Sequence, residues 1–172
     1  MITVSGLTKH YGDRTAVDDL SFTVAAGRVT GFVGPNGAGK STTMRMMVGL
    51  TRPDAGEVRY DGARYTDLRQ PARMVGAVLD ARSMHPARTA RHHLLAMAAM
   101  SDIPAERVEA VLAEVGLESA VDQKAGGFSL GMRQRLALAG ALLGEPQVLL
   151  LDEPSNGLDP DGIRWLRNHL RG

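Results

Sequence analysis

The sequence predicts an α/β protein: a mainly parallel sheet flanked by helices, with an antiparallel β part near the N-terminus and a helical part in the second half. Short segments broken by turn residues fill 1–30 and 52–70, which is typical of antiparallel strands. Segments with apolar residues three and four positions apart lie within 88–143 and indicate helices. The strands and helices of the expected core lie in 31–51, 72–80 and 144–172.

The composition is that of an ordinary globular domain. Of 172 residues, 44% are hydrophobic and 23% are charged, and the formal net charge is +1. So small a charge gives no support to nucleic-acid binding. Cysteine is absent, which excludes disulfides and thiolate metal sites. We see no signal peptide and no apolar run near the ~20 residues of a membrane helix, so we expect any membrane role to need a partner.

The N-terminal part is predicted as strands joined by turns. Residues 18–24 alternate in part between apolar and polar side chains, and Ala26–Gly27 interrupts them. Pro53–Gly56 is typical of a turn, and a short strand is expected at 57–62.

A glycine-rich loop between a predicted strand and a predicted helix is the most informative stretch. The apolar run at 28–33 predicts a short buried strand, and a helix is expected at 40–50. The loop between them fits G-x-x-x-x-G-K-[ST], a pattern that wraps nucleotide phosphates because glycine lets backbone N–H groups point at an anion. The candidate phosphate-binding residues are Gly34, Pro35, Asn36, Gly37, Ala38, Gly39, Lys40, Ser41 and Thr42.

Two side chains of the loop have candidate roles of their own. Lys40 supplies a mobile positive charge for the outer phosphates, and the Ser41 hydroxyl can ligate Mg²⁺. The helix that follows adds its positive N-terminal end. The alternative is an ordinary glycine turn before a core helix, which the strand–loop–helix context disfavours.

The second half of the chain is predicted to be largely helical. From about 88 to 126 the pattern is helical, and Pro104 suits the start of a helix with apolar residues at i, i+3, i+4 and i+7. A further helix is predicted at 130–143. Two buried strands, at 74–79 and 147–151, and a final helix after Pro160 complete the prediction.

Two carboxylates follow the apolar strand at 147–151. Carboxylates are expensive to bury, so such a pair at a strand end usually lies near a cation or a reaction. With a phosphate loop upstream, we expect Asp152 to hold Mg²⁺ and Glu153 to polarise an attacking water. The alternative is a strand that ends in solvent with two exposed acids.

The ordered motifs of the whole chain resemble those of the ATP-binding cassette ATPases. The glycine loop is followed by Phe128–Met132, by Asp152–Glu153 and by Ser155–Asp159. Within that family the local sequence is most similar to ATPase subunits of bacterial drug, bacitracin and lantibiotic-type exporters. The resemblance implies a P-loop NTPase core in a single cassette domain, 1–172, whose helical subdomain at 88–143 carries the signature motif.

The resemblance implies roles for further residues. Tyr11 matches the aromatic residue that stacks on adenine, although a tyrosine at a strand edge can be plain amphipathic filling. Ser129 and Gly131 match the signature that closes on the γ-phosphate of the opposite subunit, although a serine there can be an N-cap without a ligand. Asp159 matches a dimer-contacting loop. The family therefore implies hydrolysis of ATP with Mg²⁺ in a homodimer that sandwiches two ATP molecules.

Partners and a location follow from the same resemblance. A transmembrane permease is expected to dock near 88–99, which would place the protein in the cytoplasm on the inner face of the membrane. His92 and His93 in that segment are interpreted as solvated or helix-packing residues. No nucleic acid is expected. Two alternatives stay open: a soluble cassette ATPase acting on ribosomes or DNA, and a nucleotide binder without turnover.

Three features depart from the family pattern. The signature usually reads Leu-Ser-Gly-Gly-Gln, and here Leu130 replaces a glycine and Met132 the glutamine. Asp80 stands where the family has a Mg²⁺-sensing glutamine, so it is a candidate metal ligand or a solvated loop acid. No residue matches the family's γ-phosphate histidine, since His169 falls too early. The cassette is therefore expected to be incomplete at its C-terminal end, with lower stability and turnover than a longer version.

Overall fold

The computed structural model describes residues 1–80 and 84–171. The chain divides into two compact units, Met1–Pro71 and Ala72–Gly172. The first unit contains an antiparallel sheet and the second a parallel strand pair with helices, as the predicted α/β class requires.

The antiparallel sheet of the first unit has the strand order β2-β1-β3. Its strands are β1 (Ile2–Tyr11), β2 (Arg14–Val24) and β3 (Ala55–Tyr60). The register joins Tyr11 to Arg14 and Ile2 to Val24. One face of β1 is buried, and an irregularity of the strand between Val4 and Leu7 shifts the alternation by one residue. The buried side chains of β1 are Ile2, Val4 and Leu7.

Helix α1 (Lys40–Met47) begins directly after the glycine loop. Thr43, Met46 and Met47 are buried along it, and the phenolic hydroxyl of Tyr60 donates to the Met47 carbonyl over 3.0 Å. The predicted helix after the loop is therefore present, three residues shorter than expected.

The prediction of a strand at 28–33 is wrong. These residues form no strand, and the side chains of Val29 and Val33 are 69% and 92% exposed. A strand needs a neighbour for its backbone N–H and C=O groups, and none of the described strands pairs with this segment. Phe32 alone packs inward, with its ring 5.6 Å from that of Phe22 in β2.

The helices of the second unit enclose an apolar core. They are α2 (Pro71–Met74), α3 (Ala90–Met100), α4 (Glu106–Glu114), α5 (Leu130–Leu142) and α6 (Pro160–His169). The helical periodicity predicted after Pro104 is confirmed, since Val108, Val111, Leu112 and Val115 are fully buried.

The parallel strands of this unit are β4 (Val75–Val78) and β5 (Val148–Leu151), in a register that joins Val78 to Leu151. Helix α5 lies directly on β4. A Cβ added to Gly76 would stand 2.0 Å from the carbonyl oxygen of Ala141, so the two backbones meet with no side chain between them. The parallel pair brings the carboxyl ends of both strands to one edge.

Candidate functional site: a phosphate loop, a helix start and a pair of acids

The glycine loop of the first unit is shaped by two left-handed residues. Gly37 and Gly39 both have φ of 83°. A Cβ on Gly39 would lie 2.2 Å from the carbonyl oxygen of Ala16 and 2.9 Å from the side chain of Val17. Residue 39 must therefore be glycine on two independent grounds, backbone conformation and space.

Lys40 folds back over this loop. Its ammonium nitrogen donates to the carbonyl oxygens of Gly34 and Pro35, at 2.7 and 2.9 Å. The backbone N–H of Ala38 donates to Pro35 across the same turn, at 3.2 Å. The ammonium thus lies against the segment that the sequence assigns to phosphate, and it is held by two carbonyl groups that a phosphate oxygen outcompetes as a partner for a cation.

Tyr11 belongs to the same unit and is linked to the loop through one residue. It ends β1, is 52% exposed and pairs in register with Arg14. The Arg14 guanidinium in turn donates to the Gly37 carbonyl over 3.5 Å. The Lys9 ammonium lies 5.5 Å from the centre of the Tyr11 ring. The ring therefore lies at the end of the central strand of the sheet, next to the arginine that contacts the loop.

Asp54 holds the end of β1. Its carboxylate accepts from the Lys9 ammonium at 2.8 Å and from the backbone N–H of His10 at 2.6 Å. The hydrogen bond from Lys9, followed by that from His10, lowers the pKa of Asp54 to about 2. Sequence reasoning missed Asp54 as a support for Tyr11, because a turn aspartate gives no signal of its long-range partner.

In the second unit Ser129 caps helix α5. Its hydroxyl accepts from the backbone N–H of Met132 over 3.2 Å, so the N-cap that the sequence allowed is present. Leu130 at the first helical position is 53% exposed. A Cβ on Gly131 would stand 2.7 Å from the carbonyl oxygen of Gly157, so the helix start and the loop after β5 are in close contact.

The two acids follow β5 with different backbones. The N–H of Asp152 donates to the Val78 carbonyl over 2.8 Å, which continues the parallel ladder by one residue. Glu153 leaves the ladder with φ of 45°, in the left-handed region that is uncommon for a non-glycine residue. The backbone thus changes direction between the two carboxylates.

Asp80 lies at the same sheet edge as these acids. It comes two residues after the end of β4, and Asp152 and Glu153 directly follow β5, the strand that pairs with β4. Asp80 is exposed. The carboxyl ends of two neighbouring strands are therefore followed by three acids, Asp80, Asp152 and Glu153.

The donor chemistry of this edge suits Mg²⁺. Carboxylate oxygens are hard ligands, and Mg²⁺ in nucleotide sites commonly uses one or two of them beside phosphate oxygens and water. Within residues 1–80 and 84–171 no group of three or more His, Cys, Asp or Glu side chains could hold a metal ion alone. The acids fit a site that a nucleotide completes, rather than a metal cage made by protein alone.

Three contacts were invisible from the sequence. Asn156 donates from its side-chain amide to the Glu153 carboxylate at 2.5 Å. Arg135 of α5 donates to Asp159 and to the Val115 carbonyl, both at 2.9 Å. The backbone N–H of Gly162, and then Arg135, hold the pKa of Asp159 below its ordinary value. The only available signal was position, because Asn156 and Asp159 both lie in the segment directly after the acid pair.

The first unit thus contains the glycine loop, Lys40 and Tyr11, and the second contains Ser129, Gly131, Asp80, Asp152 and Glu153. Across the described ranges, none of the helices is both long and apolar enough to cross a membrane. A phosphate loop before a helix, together with acids at the end of a parallel strand, defines a nucleotide-binding α/β protein.

Comparison with known families narrows this class. The protein-family model described as ABC transporter matches residues 17–156. This match covers well over half of the chain, and the chain belongs to the ABC transporter family.

Curated relatives are similar over nearly the whole chain. An uncharacterized ABC transporter ATP-binding protein of Bacillus subtilis (strain 168), YhcH, is 43% identical over 173 residues, covering 99% of this chain and 57% of that protein. The bacitracin transport ATP-binding protein BcrA of Bacillus licheniformis is 41% identical over 169 residues, covering 97% of this chain and 55% of that protein. The chain spans just over half the length of these two relatives.

Solved structures agree with the fold. A structure of the ATP-binding subunit of an ABC transporter superposes with a TM-score of 0.87 at 28% identity, covering 99% of this chain and 73% of that chain. The dimeric structure of MJ0796, a bacterial ABC transporter cassette, gives a TM-score of 0.88 at 26% identity, covering 99% and 81%. The expected class, an α/β cassette with an antiparallel β part, is confirmed.

Proposed function

We propose that this chain binds and hydrolyses ATP with Mg²⁺ and supplies the energy of a membrane exporter of drug-like or peptide-like compounds. The observation that carries the proposal is the glycine loop, in which only glycine fits at position 39 and over which Lys40 is folded. Export is supported by relatives named for bacitracin transport in Bacillus licheniformis and for Nod factor export in Rhizobium meliloti.

The residues of the loop bind the phosphates in this proposal. Backbone N–H groups of Gly37 and Gly39 point at the anion, and the ammonium of Lys40 exchanges its two carbonyl partners for phosphate oxygens. Loop residues Asn36, Ala38, Ser41 and Thr42 complete the wrap, and Tyr11 stacks on the base. All these residues belong to the first unit.

Residues after the parallel strands act on the reacting groups. Ser41 and Asp152 are the proposed ligands of Mg²⁺, and Asp80 is a further proposed ligand from the neighbouring strand. When bound, Mg²⁺ neutralises charge on the phosphate oxygens. Glu153 accepts a hydrogen bond from the attacking water and orients it toward the γ-phosphorus. Lys40 stabilises the negative charge that develops on the transferred group.

A homodimer completes each site in this proposal. Ser129 and Gly131, at the N-terminus of α5, contact the γ-phosphate held by a second copy of the chain. The dimeric structure of MJ0796 supports this arrangement. A transmembrane permease is the proposed further partner, which would hold the protein on the cytoplasmic face of the membrane, and no nucleic acid is expected. The predicted single cassette, 1–172, with its β, core and helical parts, stays part of the proposal.

A second candidate function for this chain is nucleotide binding without turnover. The exposed segment at 28–33 favours it, because the backbone before the loop has no ladder partner among the described strands. A loop anchored on one side only is expected to hold the nucleotide less rigidly than catalysis requires.

Binding and turnover of Mg²⁺-ATP test the proposal, measured for the protein and for its Lys40→Ala and Glu153→Gln variants. We expect Lys40→Ala to lose binding, and Glu153→Gln to bind normally with turnover reduced at least a hundredfold. Binding without turnover in the unsubstituted protein would favour the second candidate. Absence of binding would overturn both.

A further inference from the structure

We infer that Asn156 is a positioning residue that orients the carboxylate of Glu153 for its work on water. The inference rests on the proposed function, because it assigns a support to the acid of that site. It starts from the loop after β5, whose second residue is Glu153.

The backbone at Glu153 needs a support. Its φ of 45° is a left-handed conformation that is unfavourable for a non-glycine residue. Pro154 follows, and a residue before proline ordinarily prefers an extended backbone. Such a conformation persists only where neighbouring groups determine it.

Asn156 makes two contacts that stabilise this conformation of Glu153. Its backbone N–H donates to the Glu153 carbonyl over 3.1 Å, which closes the turn. Its side-chain amide donates to Oε2 of Glu153 at 2.5 Å. One residue therefore fixes the main chain of Glu153 and also the rotation of its carboxylate.

The second contact leaves the carboxylate able to act. The Asn156 amide engages Oε2, and no hydrogen bond to Oε1 occurs among residues 1–80 and 84–171, so Oε1 keeps its lone pairs for a water molecule. An amide N–H is not acidic enough to give its proton to Glu153, as an ammonium or imidazolium partner could. Asn156 thus restricts the orientation of the acid without entering the proton transfer.

The remainder of the loop is anchored independently. The backbone N–H of Leu158 donates to the Ser155 carbonyl over 3.2 Å, and Asp159 is held by Arg135 and by the N–H of Gly162. Leu158 is buried in the core of the second unit. Removing the Asn156 side chain is therefore expected to release Glu153 while the loop keeps its place.

The test measures kcat, KM for Mg²⁺-ATP and the melting temperature of Asn156→Ala and Asn156→Asp. Asn156→Asp keeps the shape of the side chain but replaces the donor by a carboxylate that repels Glu153. Asn168→Ala is the matched control, since Asn168 is an exposed asparagine of α6 in the same unit. We expect kcat to fall about tenfold in Asn156→Ala and further in Asn156→Asp, with KM within twofold and melting like that of the control.

The outcomes separate this inference from the function it rests on. If the unsubstituted protein has no turnover, or Glu153→Gln turns over normally, the proposed function fails and the inference fails with it. If Glu153→Gln is inactive but both Asn156 variants match Asn168→Ala, the function stands and the inference is overturned. Parallel losses of kcat, ATP affinity and melting temperature would also overturn it, since they indicate a purely structural role.

Discussion

The side chain of Leu130 stands where a Cβ of Gly157 would be, because the Leu130 Cγ lies 2.4 Å from that position. This contact gives a physical account of the unusual leucine at the start of α5. A glycine in the following loop leaves room for a larger residue at the helix start. The two positions are therefore coupled, and the leucine is accommodated without moving the helix away from the loop.

Gly157→Ala is expected to destabilise the protein by about 2–4 kcal/mol, the sum of a left-handed backbone at φ of 78° and an overpacked contact. Combining it with Leu130→Ala should restore about half of the lost stability, since the overpacked contact is then relieved. Gly27→Ala is the control, because Gly27 has φ of 68° and no atom within 4 Å of an added Cβ. Urea unfolding measures all three variants, and equal losses in Gly157→Ala and Gly27→Ala would contradict the coupling.

Gly39→Ala is expected to abolish binding of Mg²⁺-ATP. The added Cβ would clash with the Ala16 carbonyl at 2.2 Å, and the loop must open to relieve it. We expect at least a hundredfold loss of affinity in calorimetric titration, against less than a twofold change in Gly27→Ala. A Gly39→Ala protein that is folded and binds normally would show that this close approach is not needed for binding.

Asp80→Ala is expected to raise the Mg²⁺ concentration needed for half-maximal ATP turnover, about three- to tenfold, because a hard oxygen donor is lost. Asp18→Ala, which removes an exposed acid of β2, is the control. The measurement is a Mg²⁺ titration at fixed ATP. An unchanged titration in Asp80→Ala would leave Asp80 as a solvated acid, the alternative that the sequence also allowed.

Glu57 makes the stability of the first unit depend on acid pH. Hydrogen bonds from Arg59 and then from Arg64 lower the pKa of Glu57 from its ordinary value of 4.5 to about 2. A lowered pKa in the folded state means that this stabilisation is present above about pH 4.5 and is lost as the pH falls toward 2. Glu57→Gln should therefore flatten the fall of the melting temperature between these two values, while Glu118→Gln should not. Parallel curves for Glu57→Gln and the unsubstituted protein would refute this assignment.

Much of the fold follows from the spacing of apolar residues. Val108, Val111 and Leu112 point to a buried helix face from sequence alone, and the structure buries all three. Helix α5 and strand β5 were expected within one residue of their observed ends. These elements carry their own signal, since each buries its apolar positions against its own unit.

The segment at 28–33 shows where such reasoning fails. Its apolar residues predict a strand, yet strand formation depends on a partner whose presence the segment itself cannot encode. The roles of Arg14 and Asn156 are hidden for a related reason. Each depends on a contact set by backbone direction, at Gly37 and at Glu153, and a side-chain pattern does not report φ.

Gly76 has the least freedom to vary of the positions described above. Every other amino acid carries a Cβ, and at this site that one carbon would overlap the main chain of Ala141. No choice of a smaller or more polar side chain removes the conflict, so any replacement must push α5 away from β4. During evolution Leu130 and Gly157 can be substituted together, but no second substitution would relieve the overlap at position 76.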